Sequence, residues 1–278
     1  MKIFMATDLE GVSGVVHPEH TAWDGRRHHE ARQWLTADVN AAVEAAVEMG
    51  ATEIVICDGH SSGRNILISE LHPAASVVFG RSGRRLGQME GIDESFDAVF
   101  QIGFHARVGT PSTLNHTTNS GVLTASTING RPIGEMEMNA GIAGEFGVPV
   151  AMASGDAAAM AEIKDFVPEM EVAVVKWPVG MYSARVLAPA AEQEIIRETV
   201  RRALGRLDCM RPVTFERPTT IELTFKDTAL ADAAYFMPGT VRTSNFSVSF
   251  TAQDICEAYR AHFVMIALAA REQWHTVP

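Results

Sequence analysis

Cysteine is scarce in this chain of 278 residues, which contains Cys57, Cys209 and Cys256 and no others. Three widely separated cysteines do not make a disulfide framework or a thiolate zinc site. Long apolar runs are also lacking, since no stretch reaches the about 20 residues that a membrane-spanning helix needs. The N-terminus begins directly with a strand-like run, Lys2–Thr7, and lacks the charged and apolar regions of a signal peptide. These absences predict a cytoplasmic protein with no membrane partner.

Clusters of positive charge are equally sparse. The formal net charge is −11, and the basic groups within 81–85 and 201–202 are short. Proteins that bind nucleic acids need clustered Lys and Arg to contact phosphates, so a nucleic-acid partner is not expected. Gly11 and Gly14 do not form the G-x-G-x-x-G pattern of dinucleotide-binding proteins, and no P-loop follows them. Nucleotide binding is therefore not the leading hypothesis.

Strand-like and helical patterns alternate over the first 176 residues. This β-α-β alternation predicts an α/β fold with a mostly parallel sheet and helices on both of its faces. The β-branched residues Ile54, Val55 and Ile56 are typical of a buried strand. Strands are predicted over residues 2–7, 52–57, 98–102, 148–153 and 171–176, and helices over 27–49, 135–146 and 156–166.

The pattern changes after about residue 176, which predicts a smaller α+β unit in addition to the parallel sheet. We expect an α/β metal-binding domain over 1–176, completed by the C-terminal helix over 252–272, and a smaller α+β domain over 177–251. The second half is predicted to contain a helix over 189–204, strands over 219–225 and 241–250, and a final helix over 254–271.

Metal-binding residue types follow three of the predicted strands. Asp8 and Glu10 follow the first strand, His60 follows the second, and His105 follows the third. Ligands of open α/β sheets bind beyond the carboxyl ends of the strands, so these side chains are expected to meet at one edge. Each residue alone has an ordinary structural explanation, such as a turn cap or a hydrogen bond within a loop. Their joint placement favours a metal site.

Short motifs in an unbroken order along almost the whole chain resemble the zinc-dependent D-aminopeptidases of the DppA type, a family of bacterial metallopeptidases. Each motif is short, but the ordered series is specific. The motifs are MATDLEGVSG at 5–14, DGHS at 58–61, LHP at 71–73, MEG at 89–91, GFHAR at 103–107, His116, INGRPIGE at 128–135 with Asn139, and MPGT at 237–240.

The resemblance implies a pair of zinc ions, a catalytic histidine at His116, and assembly of identical chains into a ring-shaped decamer. All six residue types that it requires are present. The implied metal ligands are Asp8, Glu10, His60, His105 and Glu135.

The number of implied ligands independently favours two metal ions over one. A catalytic zinc usually has three protein ligands and one open position, so five ligand residues are too many for a single site. Two sites need six protein contacts, which requires one bridging carboxylate, and Asp8 is the expected bridge. Three carboxylates carry −3 against +4 from two zinc ions, so a bridging hydroxide would bring the sum to zero and be stable near neutral pH.

The predicted reaction is hydrolysis of the N-terminal peptide bond of a short peptide, with attack by the metal-bridging hydroxide. The resemblance implies a D-amino acid at the peptide's N-terminus. His116 is expected either to move protons between water and the leaving amine or to stabilise the oxyanion. Two alternatives remain open: a two-metal amidase or esterase acting on another small substrate, and a metal-binding ring protein without catalysis.

Overall fold

A computed structural model describes residues 1–83 and 85–272 of the chain. Its strands are β1 (Lys2–Thr7), β2 (Glu53–Asp58), β3 (Ala75–Val78), β4 (Ala98–Phe104), β5 (Leu123–Ile128), β6 (Arg131–Pro132), β7 (Val150–Asp156), β8 (Glu171–Gly180), β9 (Ser183–Val186), β10 (Thr219–Phe225), β11 (Thr240–Arg242) and β12 (Ser247–Ala252). Its helices are α1 (Pro18–Thr21), α2 (His28–Glu48), α3 (Glu135–Glu145), α4 (Ala157–Phe166), α5 (Pro189–Leu204), α6 (Thr228–Tyr235) and α7 (Ile255–Glu272). None of the helices within these two ranges is long and apolar enough to cross a bilayer.

The first sheet has the strand order β3-β2-β1-β4-β7-β8-β9. All of its neighbouring strands are parallel except the last pair, in which β9 runs antiparallel to β8. The predicted α/β fold with a mostly parallel sheet is therefore confirmed. Strand β1 lies inside the sheet and pairs with both β2 and β4, so the ends of these three strands are neighbours.

Strand β1 is buried on both faces because its successive side chains enter two different cores. Ile3 packs in a core with Leu35 of α2, together with residues of α5. Phe4 packs on the opposite face in a core with Met160 of α4, together with residues of α3 and of the second sheet. Each such buried side chain contributes roughly 1.5–3 kcal/mol. Burial from both sides makes β1 a rigid base for the residues that follow it.

The second sheet is antiparallel and has the strand order β11-β12-β10-β5-β6. Strand β5 from the first half of the chain pairs with β10 from the second half, and α6 and α7 pack against this sheet. Conversely, β9 and α5 follow residue 176 but pack with the first sheet. Both sheets thus combine segments from the two halves, and a domain division into 1–176 and 177–251 stays a prediction.

Several short strands were not predicted from the sequence, namely β3, β5, β6 and β9. The predicted strand over 241–250 was wrong in one respect, because it is two antiparallel strands, β11 and β12, with a tight turn between them. The amide of Thr243 donates to the carbonyl of Ser247 at 3.0 Å across this turn. The intervening Ser244 and Asn245 are residue types that favour turns.

Candidate metal centre

Three strand ends bring the predicted metal ligands to one edge of the first sheet. Asp8 follows β1 directly, and its amide donates to the carbonyl of Ile102 in β4 at 2.9 Å. His60 follows β2 by two residues, and His105 follows β4 directly. Glu135 is the first residue of α3. The edge predicted from the parallel strands is the edge at which the structure brings these side chains together.

A close approach of two backbone segments sets the position of the loop that carries Glu10. The amide of Gly11 donates to the carbonyl of Gly103 at 2.8 Å. A Cβ at position 11 would collide with the carbonyl of Phe104, and Gly103 itself has a φ of +79°. Glycine is required at both positions because one needs space and the other a left-handed backbone.

Asp8 lies at the middle of the cluster and directs its two oxygens to two different imidazoles. Its Oδ1 is 3.2 Å from Nδ1 of His60, and its Oδ2 is 3.3 Å from Nε2 of His105. Glu10 Oε2 lies 3.0 Å from the same nitrogen of His60, and Glu135 Oε1 lies 3.4 Å from the same nitrogen of His105. The five side chains therefore form two halves joined by Asp8.

Hydrogen bonds to backbone carbonyls orient both imidazoles. Nε2 of His60 is 2.9 Å from the carbonyl of Thr21, and Nδ1 of His105 is 2.9 Å from the carbonyl of Ala106. A carbonyl only accepts hydrogen bonds, so these nitrogens carry the proton in the neutral rings. The other nitrogen of each ring then presents a lone pair to the carboxylates. A nitrogen lone pair and a carboxylate oxygen repel each other, so this arrangement is stable only with a cation between them.

The pKa values of the clustered side chains also indicate a site that stabilises positive charge. Burial by itself lowers the pKa of His60 and His105, but the neighbouring carboxylates outweigh burial and raise both pKa values well above the ordinary range. Burial likewise raises the pKa of Glu10 and Glu135, but the imidazoles outweigh it and lower both pKa values. The residues thus form a buried anionic site that stabilises cations.

Two buried atoms of the cluster support a fit to a metal ion. Glu10 Oε2 and His105 Nε2 make no hydrogen bond within the described residues, although charged atoms of opposite type lie within 3.4 Å. Buried polar atoms normally have a hydrogen-bond partner. Carboxylate oxygens and imidazole nitrogens are the ligand types that zinc accepts, so the donor set fits zinc.

The distances allow two overlapping metal-binding triads: ligand atoms lie within 4.8 Å of one another in Asp8–Glu10–His105 and in His105–His116–Glu135. His105 belongs to both triads, but only its Nε2 faces the cluster because Nδ1 is held by the carbonyl of Ala106. One nitrogen lone pair binds one ion. Asp8, with two oxygens on two different sides, is therefore the better candidate for a shared ligand.

His116 stacks on His105 with ring centroids 4.0 Å apart and an angle of 8° between the planes. Its Nδ1 is 2.8 Å from the carbonyl of Leu114, which leaves Nε2 as the unprotonated nitrogen of the neutral ring. Leu114 and Thr118 on either side have φ values of +53° and +57°. Left-handed backbone at non-glycine residues is uncommon and is often found at functional sites.

A cavity of about 210 Å³ opens onto the cluster. The side chains of Glu10 and His105 are buried behind it, in contact with the residues that line it. All six residues singled out in the sequence thus lie around one cavity, and their roles as ligands and catalyst stay proposals. The cavity is lined by Asp8, Gly59, His60, Ser61, Arg81, Gly87, Gln88, His116, Thr118, Glu135 and Phe263.

Supporting residues around Glu135 were not identified from the sequence. Nε2 of Gln88 donates to Glu135 Oε2 at 2.8 Å, and the amide of Thr118 donates to Glu135 Oε1 at 2.7 Å. Asn139 in turn donates to Gln88 at 2.7 Å. These contacts hold the Glu135 carboxylate in place before any metal binds. Asn139 belongs to a motif quoted above, but Gln88 carries no sequence signal of its role.

Lys176 is a second supporting residue that the sequence did not reveal. It is fully buried on β8, and its ammonium donates to the carbonyls of Glu10, of Val12 at 3.2 Å and of Val15 at 2.7 Å. Burial lowers the pKa of Lys176 to about 8. The ammonium therefore anchors the loop that follows β1 from behind. The three carbonyls accept hydrogen bonds from the ammonium and so replace the hydrogen bonds to water that burial removes.

Asp58, two residues before His60, supports the loop that follows β2. Its carboxylate accepts hydrogen bonds from the amides of Asn65 and, at 2.8 Å, of Ile66. The partner of His60 Nε2 is the carbonyl of Thr21. A backbone carbonyl is present in every residue, so no pattern in the sequence could have indicated this contact.

His262 on α7 provides a pH-dependent test of the packing behind the site. It is fully buried, its Nε2 is 2.9 Å from the hydroxyl of Thr118, and burial lowers its pKa to about 4. Between about pH 6.5 and pH 4 only the unfolded chain takes up a proton at this residue. The free energy of unfolding should therefore fall as the pH is lowered from about 6.5 to about 4, by roughly 3 kcal/mol for the full pKa shift.

Urea unfolding of metal-free protein at pH 7 to pH 4 measures this effect. The variant His262→Gln, which does not titrate, should lose less stability than the unchanged protein over this range. His29→Ala, at an exposed position on α2, serves as the matched control and should follow the unchanged protein. Equal pH dependence in His262→Gln and the unchanged protein would contradict the low pKa of His262.

Known proteins match this chain over almost its whole length. A model of the D-aminopeptidase family matches residues 1–264. The chain is 35% identical over 274 residues to the D-aminopeptidase of Bacillus subtilis (strain 168), and the match covers 98% of both sequences. It also superimposes on the structure of the Zn-dependent D-aminopeptidase DppA from Bacillus subtilis, described as a self-compartmentalizing protease, with a TM-score of 0.95, 33% identity and 98% coverage of both chains.

Proposed function

The chain belongs to the D-aminopeptidase family and is a zinc-dependent peptidase, and from this premise we propose that it is a two-zinc aminopeptidase. Its proposed substrates are short peptides with a D-amino acid at the N-terminus, whose N-terminal peptide bond is hydrolysed. The observation that carries the two-ion proposal is the orientation of Asp8, whose two oxygens lie 3.2 Å and 3.3 Å from the facing nitrogens of His60 and His105.

The proposed ligand set divides into two halves around Asp8. Asp8 Oδ1, Glu10 and His60 would hold one ion, and Asp8 Oδ2, His105 and Glu135 would hold the other. Each half then has the three protein ligands that a catalytic zinc usually has. When bound, two zinc ions would supply a Lewis acid for the scissile carbonyl and would lower the pKa of water, so that hydroxide would be available near neutral pH.

His116 is the proposed proton carrier. Its Nδ1 proton is committed to the carbonyl of Leu114, so Nε2 is the atom that takes a proton from water and returns it to the leaving amine. Stacking on His105 keeps the ring beside the cluster. After it has taken up a proton, the same nitrogen is a donor for the oxyanion, so the two roles left open by the sequence are served by one atom.

The function is tested with a panel of substrates on zinc-loaded protein. We expect turnover of a D-Ala-Gly dipeptide with kcat/KM at least about 10²-fold above that of L-Ala-Gly, in line with the discrimination that binding sites achieve between close analogues. Amino-acid esters and phosphoesters belong to the same panel. Faster hydrolysis of an ester or of a non-peptide amide than of every peptide would instead identify a two-metal amidase or esterase.

We further propose that the chain forms a homo-oligomer. The support is its 98% coverage of a relative described as self-compartmentalizing, a property that requires several copies to enclose a space. A ring of ten copies, with ten times the mass of one 30.1 kDa chain, is the specific form proposed. Light scattering in solution measures that mass. A cytoplasmic location remains a prediction.

A further inference from the structure

A second cavity, of about 310 Å³, lies beside the metal-site cavity. The two cavities share Arg81, Gly87 and Phe263 in their linings. Together their volumes fall within the roughly 300–1,000 Å³ that sites for small ligands occupy. The second cavity is lined by Arg81, Arg85, Gly87, Arg260, Phe263 and Val264.

Arg81 stands at the boundary between the two cavities. One of its guanidinium nitrogens donates to the carbonyl of Ser61, the residue after His60, at 2.7 Å. Its Cζ also lies 5.6 Å from the centroid of the Phe263 ring. Gly87, with a φ of +55°, adds no side chain at this boundary, and a Cβ there would collide with the hydroxyl of Tyr259. The metal-site cavity therefore adjoins an arginine-lined space.

The three arginines of the second cavity form no ion pair with any carboxylate in the part of the chain that the structure describes. Within the described residues, no Asp or Glu oxygen lies within 4.0 Å of a guanidinium nitrogen of Arg81, Arg85 or Arg260. The nearby carboxylate of Glu90 instead accepts from the backbone amides of Arg85 and Leu86, at 2.7 Å and 2.8 Å. In a chain with 34 acidic and 23 basic residues, three guanidinium groups around one cavity that have no carboxylate partner among the described residues favour an anionic ligand.

We propose that Arg81, Arg85 and Arg260 bind the C-terminal carboxylate of a short peptide whose N-terminal residue lies at the metal site. This inference rests on the proposed aminopeptidase function. A free dipeptide carries a carboxylate one residue beyond the scissile bond, and each extended residue adds about 3.3–3.6 Å. Guanidinium groups bind carboxylates with paired, charge-assisted hydrogen bonds. Phe263 and Val264 add apolar surface beside these guanidinium groups.

The carboxylate contact makes the enzyme selective for short peptides with a free C-terminus. D-Ala-Gly and its C-terminal amide share the same scissile bond and differ in this one charge. We expect kcat/KM of the unchanged protein to be at least about 10-fold higher for the free acid, with most of the difference in KM. Arg85→Ala and Arg260→Ala should each lower kcat/KM for the acid by about 10-fold or more and leave the amide within twofold.

Arg211→Ala serves as the matched control, since Arg211 is exposed and lines neither cavity. It should preserve the preference for the acid. Calorimetric binding of both dipeptides to the zinc-loaded His116→Ala variant provides a readout without turnover, and the acid should bind more tightly there too. Circular dichroism of each variant checks that it is folded.

Two outcomes separate the failure of this inference from the failure of the proposed function. If the unchanged protein hydrolyses acid and amide equally well and the arginine variants slow both to the same extent, the carboxylate site is wrong and the aminopeptidase proposal stands. If neither dipeptide is hydrolysed or bound by zinc-loaded protein, the proposed function fails and the carboxylate site fails with it.

Discussion

Replacement of Asp8 by alanine is expected to remove both zinc ions and to lower kcat/KM by about 10³-fold or more, because Lewis-acid stabilisation by a metal contributes several kcal/mol. Among the described residues, Asp8 is the one carboxylate with an oxygen toward each of the imidazoles of His60 and His105. Its loss leaves each half of the site with two protein ligands, one fewer than a catalytic zinc usually has. Elemental analysis of purified protein gives the zinc content, and steady-state kinetics on D-Ala-Gly gives kcat/KM.

Two further variants make the Asp8 result specific. Glu10→Gln and Glu135→Gln should each lower the zinc content by about one ion, since each residue belongs to one half of the site. Asp165→Ala removes a carboxylate whose side chain is 85% exposed and should change neither zinc content nor activity. Retention of one full zinc in Asp8→Ala would show that Asp8 is not the shared ligand and would require a different division of the ligands.

Replacement of His116 by alanine is expected to retain both zinc ions and to lower kcat by about 10²–10⁴-fold, the range that general acid–base catalysis contributes. The ring stacks on His105 but its hydrogen-bonded Nδ1 faces away toward the carbonyl of Leu114. Because the proton carrier is lost while the ligands remain, KM should change much less than kcat. Zinc content and kcat are measured on the same preparation.

The His116 experiment also distinguishes catalyst from ligand. His116, His105 and Glu135 have ligand atoms within 4.8 Å of one another, so a direct bond from His116 to a metal is geometrically allowed. A fall of about one zinc ion in His116→Ala would place His116 among the ligands and remove it as the proton carrier. His29→Ala, which changes an exposed histidine outside the cavity, should leave both zinc content and kcat unchanged.

The fold could be predicted where its signals are local in the sequence. The apolar run of β1 and the long helical pattern of α2 both carry their signals within about 20 residues. Strand β5 escaped prediction because its threonine and serine residues are polar for a strand and its partner β10 lies about 90 residues further along the chain. The register between them depends on a core that also includes α7, which no short window reveals.

The candidate site, like the fold, was predictable where its signals lie in short segments of the sequence. Asp8, His60 and His105 follow the carboxyl ends of parallel strands, and such ends necessarily lie at one edge of a sheet. The number of ligands predicted two metal sites joined by Asp8, but it did not predict which oxygen of Asp8 faces which imidazole, since that depends on the folded structure. The arginine-lined cavity was also not predicted, because Arg81 and Arg260 belong to segments that meet only in the folded chain.

The sequence by itself determined the chemical groups at the site, because residue types and strand ends are properties of short segments. The tertiary structure decided how those groups are oriented. The carbonyls of Thr21, Ala106 and Leu114 direct the three imidazoles, and Lys176 anchors the Glu10 loop from 166 residues away. Backbone carbonyls are the same in every residue, and contacts between distant segments exist only after folding. For these two physical reasons, orientation had to come from the three-dimensional structure.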